Sequence, residues 1–540
     1  MRRSPALLLF AALLVVAAAA CSKCGGKKTQ GAAQVTRWLP TDVEAAGVVP
    51  DLGVLGERLA QLENMKLASF AAQLQGFPDA HAFANALMRE VGVDLRSRDA
   101  MKKAGIAPER GLGVAVLPGN LSYAAVAVAD ADAFGAFIKR LAQQRLGAGV
   151  ETKTASGGRE VVTFSRAPGG SPELGYVRVD GDYALVAAKD SAAKLGTFAA
   201  LAEEQSLAHS EALGASLARL PAERDLYLFV PQNLTAKKRP GLLSFTATVK
   251  LAKDALHVRI DTPWLDTPES LKALDPKEGP DLTGQLPPDA FVVARFGGDP
   301  TALAPIWPVL TGPYLQRAFA DAGFSVRDEV LANLSPGPVA SLSVSPTIPM
   351  GQGMPELDVR RTNPFRYVHL VAFAQPKDAP KAPVVFAKLP AIAPKFGATI
   401  EPLEKDGQTF FVTRYARGEG VHFAQAKDGR VVLASPLGRL EQTISSLAAT
   451  PKPAGPPLLR DAALKDVLLK SPVAAVVDLD QLRESVKALP PEAWGIGGFA
   501  IKASAVRWLE ATDDLRAITL ALSRKGNAVQ ADLALRFTKR

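Results

Sequence analysis

Short apolar runs and longer amphipathic stretches alternate along this chain from Trp38 onward. The runs are bounded by Gly, Pro, Asn and Asp and predict strands. The longer stretches place apolar residues at helical spacing. Val43 to Val49 reads as a strand, and so do Tyr123 to Ala129, Gly158 to Phe164, Asp180 to Val186 and Asp225 to Val230. Between them, Phe134, Phe137, Ile138 and Leu141 fall on one helical face that must pack on a sheet. Leu195, Phe198 and Leu201 do the same further on, with Ser191 placed as the N-cap of that helix. Asp180-Gly181 and Asp428-Gly429, each between alternating apolar runs, signal hairpins.

The pattern repeats at an offset of roughly 245 to 250 residues. Leu39-Pro40-Thr41-Asp42 opens the first copy and Leu286-Pro287-Pro288-Asp289 the second, the latter before a strand at Ala290 to Phe296. Tyr123 to Ala129 matches Tyr367 to Phe373, Gly158 to Phe164 matches Gly407 to Thr413, and Asp180 to Val186 matches Asp428 to Ala434. The helix with Leu195 has a counterpart carrying Leu440, Ile444 and Leu447. Inside each copy, the strands at Asp225 to Val230 and Val473 to Val477 echo the opening strand. Closing strands are expected at Leu243 to Lys250 with His257 to Ile260, and at Ala505 to Leu509 with Leu515 to Leu535. The fold class is therefore α+β, in two tandem homologous repeats of mainly antiparallel sheet covered by amphipathic helices. Residues 38–262 form copy A and 286–540 copy B. The Pro-rich, charged stretch 263–285 has the composition of a linker. Copy B carries an insertion at about 345–364, rich in Pro, Met and Gly, that has no counterpart between Leu117 and Asn120 of copy A, which makes it a candidate partner contact.

Ahead of this body, Arg2 and Arg3 precede an apolar run from Ala6 to Ala20, with small residues before Cys21. The run is about 15 residues, short of the roughly 20 that span a bilayer. Residues 1–20 read as a signal peptide. Val15-Val16-Ala17-Ala18-Ala19-Ala20-Cys21 resembles the lipobox of bacterial lipoproteins, although Ala18 stands where that motif favours Leu. The resemblance implies lipid attachment at Cys21, with palmitate-type acyl chains, and two or more such chains give stable anchoring. Residues 21–37 then form a lipidated flexible tether with basic residues near the membrane surface. By the sorting rule of such lipoproteins, Ser22 after the modified cysteine points to the outer rather than the inner membrane. The duplicated body resembles envelope proteins that carry a domain of unknown function, a likeness that brings no activity with it.

Composition narrows the chemistry. The formal charge of +9 comes from basic residues scattered among acids, without the aromatic interleaving of a nucleic-acid surface, so no nucleic-acid partner is expected. Cys21 and Cys24 are the two cysteines and offer no disulfide framework. Gly-x-Ser-x-Gly is absent, and Ser191-Ala192-Ala193-Lys194 lacks the companion motifs of the penicillin-binding enzymes. The histidines His81, His209, His257, His369 and His422 are isolated, which argues against a metal centre. Asp130-Ala131-Asp132 lacks the rest of a calcium loop, so one of its acids is expected to cap the following helix. Gly157-Gly158 and Gly495-Ile496-Gly497-Gly498 lack the remainder of a phosphate or dinucleotide motif. No cofactor is expected. The sequence reads as a cell-envelope lipoprotein with a non-enzymatic binding or scaffolding role and an envelope protein partner. An apolar-ligand (lipid) carrier or sensor is the alternative, and an enzyme with an unrecognised site comes third.

Overall fold

The computed structural model describes the chain from residue 34 to 538, apart from residues 148, 181, 232–241, 266–268, 306–315, 349–363, 416–417, 450–454 and 495–497. Cys21, Cys24, the signal peptide and most of the tether lie outside the described residues, as does most of the insertion 345–364. The chain divides into two compact units, residues 1–266 with the last four, and residues 267–536.

Among the described residues the first unit has ten strands: β1 (Ala45–Val49), β2 (Leu112–Leu117), β3 (Leu121–Ala127), β4 (Val150–Ser156), β5 (Arg159–Ser165), β6 (Leu174–Val179), β7 (Tyr183–Ala188), β8 (Leu226–Val230), β9 (Phe245–Leu251) and β10 (Ala255–Pro263). They pair antiparallel in the order β4-β5-β6-β7-β3-β2-β1-β8-β9-β10. Helices α1 (Leu52–Leu62), α2 (Lys66–Leu74), α3 (Ala80–Val91) and α4 (Arg98–Lys103) fill the crossover from β1 to β2. Helix α5 (Ala131–Leu146) follows β3, α6 (Leu195–Ala199) follows β7, and α7 (Glu211–Arg219) precedes β8. Asp130 starts α5 by accepting from the amides of Asp132 and Ala133, and Phe134, Phe137, Ile138 and Leu141 are its buried face. Gly105 makes that packing possible. Its φ is +75, and a Cβ there would stand 2.4 Å from the Phe134 nitrogen.

The second unit has β11 (Ala290–Phe296), β12 (Val339–Val344), β13 (Val368–Ala374), β14 (Ala398–Lys405), β15 (Gln408–Tyr415), β16 (Gly418–Glu419), β17 (His422–Gln425), β18 (Val431–Ser435), β19 (Val473–Asp478), β20 (Leu515–Lys525) and β21 (Ala528–Phe537). The order β14-β15-β17-β18-β13-β12-β11-β19-β20 is again antiparallel throughout. Its helices are α8 (Lys381–Ile392), α9 (Leu437–Ala448), α10 (Ala462–Lys470), α11 (Leu479–Lys487) and α12 (Gly498–Ala511).

Several sequence expectations need correcting. Ala505 to Leu509 is not a closing strand but part of α12, where its Ala, Arg and Leu residues suit a helix. Ser191 does not cap a helix of its own. It lies in a 3-10 segment, Lys189–Lys194, and its hydroxyl accepts from the Ser122 amide at the start of β3. Tyr123 lies inside β3, whereas Tyr367 ends a 3-10 turn before β13. Cross-strand register instead sets Ala124 and Ala372 at equivalent places, each two strands from the opening strand. The stretch 269–285, read as linker, is packed. It forms two 3-10 turns, buries Leu282 and Thr283, and pairs Asp275 with Arg524 and Asp281 with Lys465.

Candidate functional site

Each sheet has two faces, and in the second unit they are finished differently. On one face Val293, Val339, Val371, Phe373, Val432, Ala434, Ala474, Val476 and Ala517 are all 2% exposed or less. Leu437 and Leu440 of α9 with Leu464 and Leu468 of α10 close over them. Arg295 shares this face. Burial holds its guanidinium below the usual arginine range, and it donates to the Leu468 and Leu469 carbonyls at the C-terminal end of α10.

The opposite face is apolar too, yet its central positions are only half-buried. Register places Ala475, Ala294, Ala340 and Ala372 directly opposite one another on β19, β11, β12 and β13. The row continues to Leu433 on β18 at one end and Leu520 on β20 at the other. On one side runs a taller row of Val477, Val292, Leu342 and Leu370, and on the other stand Val473 with Phe296 and Ala374 with Val431. A line of methyl groups between larger side chains is a furrow crossing the strands. With strands about 4.8 Å apart, its four alanines span about 14 Å.

Among the described residues, helices border this furrow without roofing its middle. At the Leu433 end, Phe386 of α8 packs with Phe423, Phe411, Val431 and Leu433. Phe386 stands 4.8 Å from Phe423 between ring centroids, and Phe411 stacks on Phe423 at 5.1 Å. Beyond the Leu342 and Leu370 row, Val344 and Val368 are covered by Val486, Leu489, Trp494 and Ala505. The other end is open, since Leu520 is 41% exposed. Near that apolar surface in sequence, α12 displays Ile501 and Trp508, one helical face apart by seven residues, at 51% and 53% exposure.

The floor of the furrow contains no titratable group, so the arrangement can bind but supplies no acid, base or nucleophile. The first unit lacks the alanine row. The equivalent line runs Leu228, Gly47, Val114, Ala124 and Val186, with bulkier residues along it. Helix α5 covers the β6 end of that face through Phe134, whose ring meets Tyr176 edge-on at 5.8 Å.

The residues singled out in the sequence are dispersed. Lys194, three residues after Ser191, is exposed. His81 faces solvent and contacts Glu63 at 2.7 Å, while His209 is 4.0 Å from Glu203. His422 is fully buried and its Nδ1 accepts from the Thr413 amide, whereas His369 is 1% exposed in β13. His257 is half-buried on β10. Among the described residues no group of three His, Cys, Asp or Glu side chains is placed to hold a metal. Asp130 is a helix cap, Gly157 and Gly158 make the β4–β5 turn with positive φ, and Gly498 begins α12. The furrow itself was missed in the sequence, although its signal was there. Val368 to Ala374 and Val473 to Val477 are apolar at nearly every position, not only at alternate ones.

No protein-family model and no curated protein matches the chain. Among solved structures, crystal form I of TP0453 aligns with a TM-score of 0.24 and 9% identity, covering 43% of this chain and 79% of that one. Crystal form III aligns with the same TM-score and identity over 45% of this chain and 81% of that one. Likeness at that level carries no argument about function. Among the described residues no helix is long and apolar enough to cross a membrane.

Proposed function

We propose that this chain is a lipid-anchored protein of the bacterial cell envelope that binds an apolar guest and catalyses nothing. The half-covered apolar face of the second unit, with its alanine furrow, carries the reading. Apolar surface left in water costs about 25 cal/mol per Å², so a continuous face of this kind gains by being covered. An extended acyl chain fits the slender trough, and the guest needs no polar partner along the floor. The closely similar strand order in the two units supports their origin by duplication, the furrow and the α11–α12 excursion between β19 and β20 being features of the second.

Native mass spectrometry with lipid extraction, on the body from Thr29 onward, tests the binding. A stoichiometric apolar guest is the expected outcome, and an empty, monodisperse body counts against it. The exposed Ile501 and Trp508 favour a second reading, docking of an envelope protein, and crosslinking from α12 would reveal that partner. The anchor is tested separately. Cys21→Ala should release the protein from the membrane fraction, and fractionation of the wild type should place it in the outer membrane, as Ser22 suggests.

A further inference from the structure

Away from the furrow, corresponding edge strands of the two units are finished differently. Among the described residues β4 pairs with β5 on one side and with nothing on the other. The β4–β5 hairpin closes through Gly157 and Gly158, whose φ of +58 and +76 suit a two-residue turn. Ser156 and Arg159 flank that turn opposite each other, so they form a hydrogen-bonded pair, and such pairs alternate along the strands. The Phe164 carbonyl, opposite Glu151, accepts instead from the Glu173 amide on the β6 side at 2.8 Å, which agrees with that alternation. Glu151, Lys153 and Ala155 therefore turn their backbone N–H and C=O groups to the outer edge, and residues 151–155 are all exposed. In the second unit β14 ends its sheet. Lys405 and Gln408 flank its Asp406-Gly407 turn, so Ile400, Pro402 and Glu404 are the outward residues. Pro402 has no N–H to offer there, which blocks a further strand.

An edge with outward donors and acceptors is a template for another strand. A lone lysine on it would repel a second copy. β4, however, reads Val150-Glu151-Thr152-Lys153-Thr154, with an acid and a base two residues apart on one face. Antiparallel pairing of two copies about a two-fold axis at Thr152 sets Glu151 of each opposite Lys153 of the other. Thr152 then faces Thr152, and Val150 faces Thr154. Opposite charges and threonine pairs across strands are stabilising, whereas an axis at Glu151 or at Lys153 would oppose like charges. Contacts within the chain extend the row, since Glu151 is 2.9 Å from Lys139 of α5 and Lys153 is 3.0 Å from Glu160. Across the junction the order becomes Lys139, Glu151, Lys153, Glu160, with the sign alternating at each step.

We propose that β4 is a self-association edge, which joins two copies of this chain antiparallel about Thr152 into one continuous sheet. One strand pair buries less than the roughly 1,200 Å² of a standard interface, so the dimer is reversible and concentration-dependent. The full mature chain in detergent micelles, with Cys24→Ser as the parent, is tested by oxidative crosslinking. Directly opposed residues of a non-hydrogen-bonded pair stand about 4.5 Å apart between Cα atoms, so Thr152→Cys should give a disulfide-linked dimer. Thr154→Cys should not, because the two copies of that position are then about 14 Å apart. Sedimentation equilibrium reads the association itself. Lys153→Glu and Glu151→Lys should each weaken it about tenfold while keeping the wild-type circular dichroism spectrum. Mixing those two variants should restore association, since every facing pair is again of opposite sign, a rescue that a role within one chain does not give. Equal crosslinking at positions 152 and 154, a monomer at every concentration, or no rescue on mixing overturns the proposal.

Discussion

The two faces of the second unit's sheet are made by the same strands, and both are largely apolar, although the closed one also buries Arg295, Ser341, Ser343 and His369. Val371 and Phe373 point one way, 1% and 0% exposed, while Leu370 and Ala372, which alternate with them, point the other and are only half-buried. Composition therefore does not separate the core from the candidate site; coverage does. The first face has α9 and α10 laid across it, whereas α8 and α11 reach only the margins of the second. Among the described residues no element lies across the middle of that second face, and its row of alanines sets the shape of what fits.

Substitutions can break this comparison at graded cost. The largest effect is expected on the closed face, where Phe373→Ala should destabilise by about 3–5 kcal/mol through transfer and cavity terms, read as a lowered urea midpoint. Leu370→Ala, three residues earlier on the same strand but on the open face, should cost about 1 kcal/mol, since a half-buried side chain has less to lose. Equal losses at the two positions would mean that the second face is packed like the first. Ala340→Phe sharpens the test from the other side. Filling the furrow should leave stability within about 1 kcal/mol while abolishing the guest seen by native mass spectrometry, whereas overpacking in a closed core costs about 1–3 kcal/mol. The smallest effect is expected from Leu520→Glu at the open end. Stability should stay within about 0.5 kcal/mol, and a carboxylate at the mouth should slow or weaken loading, measured by uptake of a fluorescent fatty acid.

Much of the fold was legible from short-range pattern. The Phe134 to Leu141 spacing gave α5, the Asp-Gly pairs gave hairpins, and Asp130-Ala131-Asp132 gave a cap that the structure assigns to Asp130, because each depends on neighbours within a few residues. The errors arose where tertiary partners decide. Ser191 has the chemistry of an N-cap, but the Ser122 amide lies nearer than a helix start. Tyr367 resembled Tyr123 by residue type, yet the strand register gives that buried place to Val371. Asp225 illustrates the same limit. Burial pushes its carboxyl above the usual range despite the Arg58 guanidinium, a balance that depends on where α1 meets β8 and β9.

By itself the sequence determined the alternation of strands and helices and the apolar character of both faces of the central strands, since propensity and periodicity are properties of contiguous residues. Only the tertiary structure decided which face was closed and that Ala475, Ala294, Ala340 and Ala372 stand in one line. Those residues come from four segments spread over more than 180 positions, and their alignment exists only once backbone hydrogen bonds have fixed the register between strands.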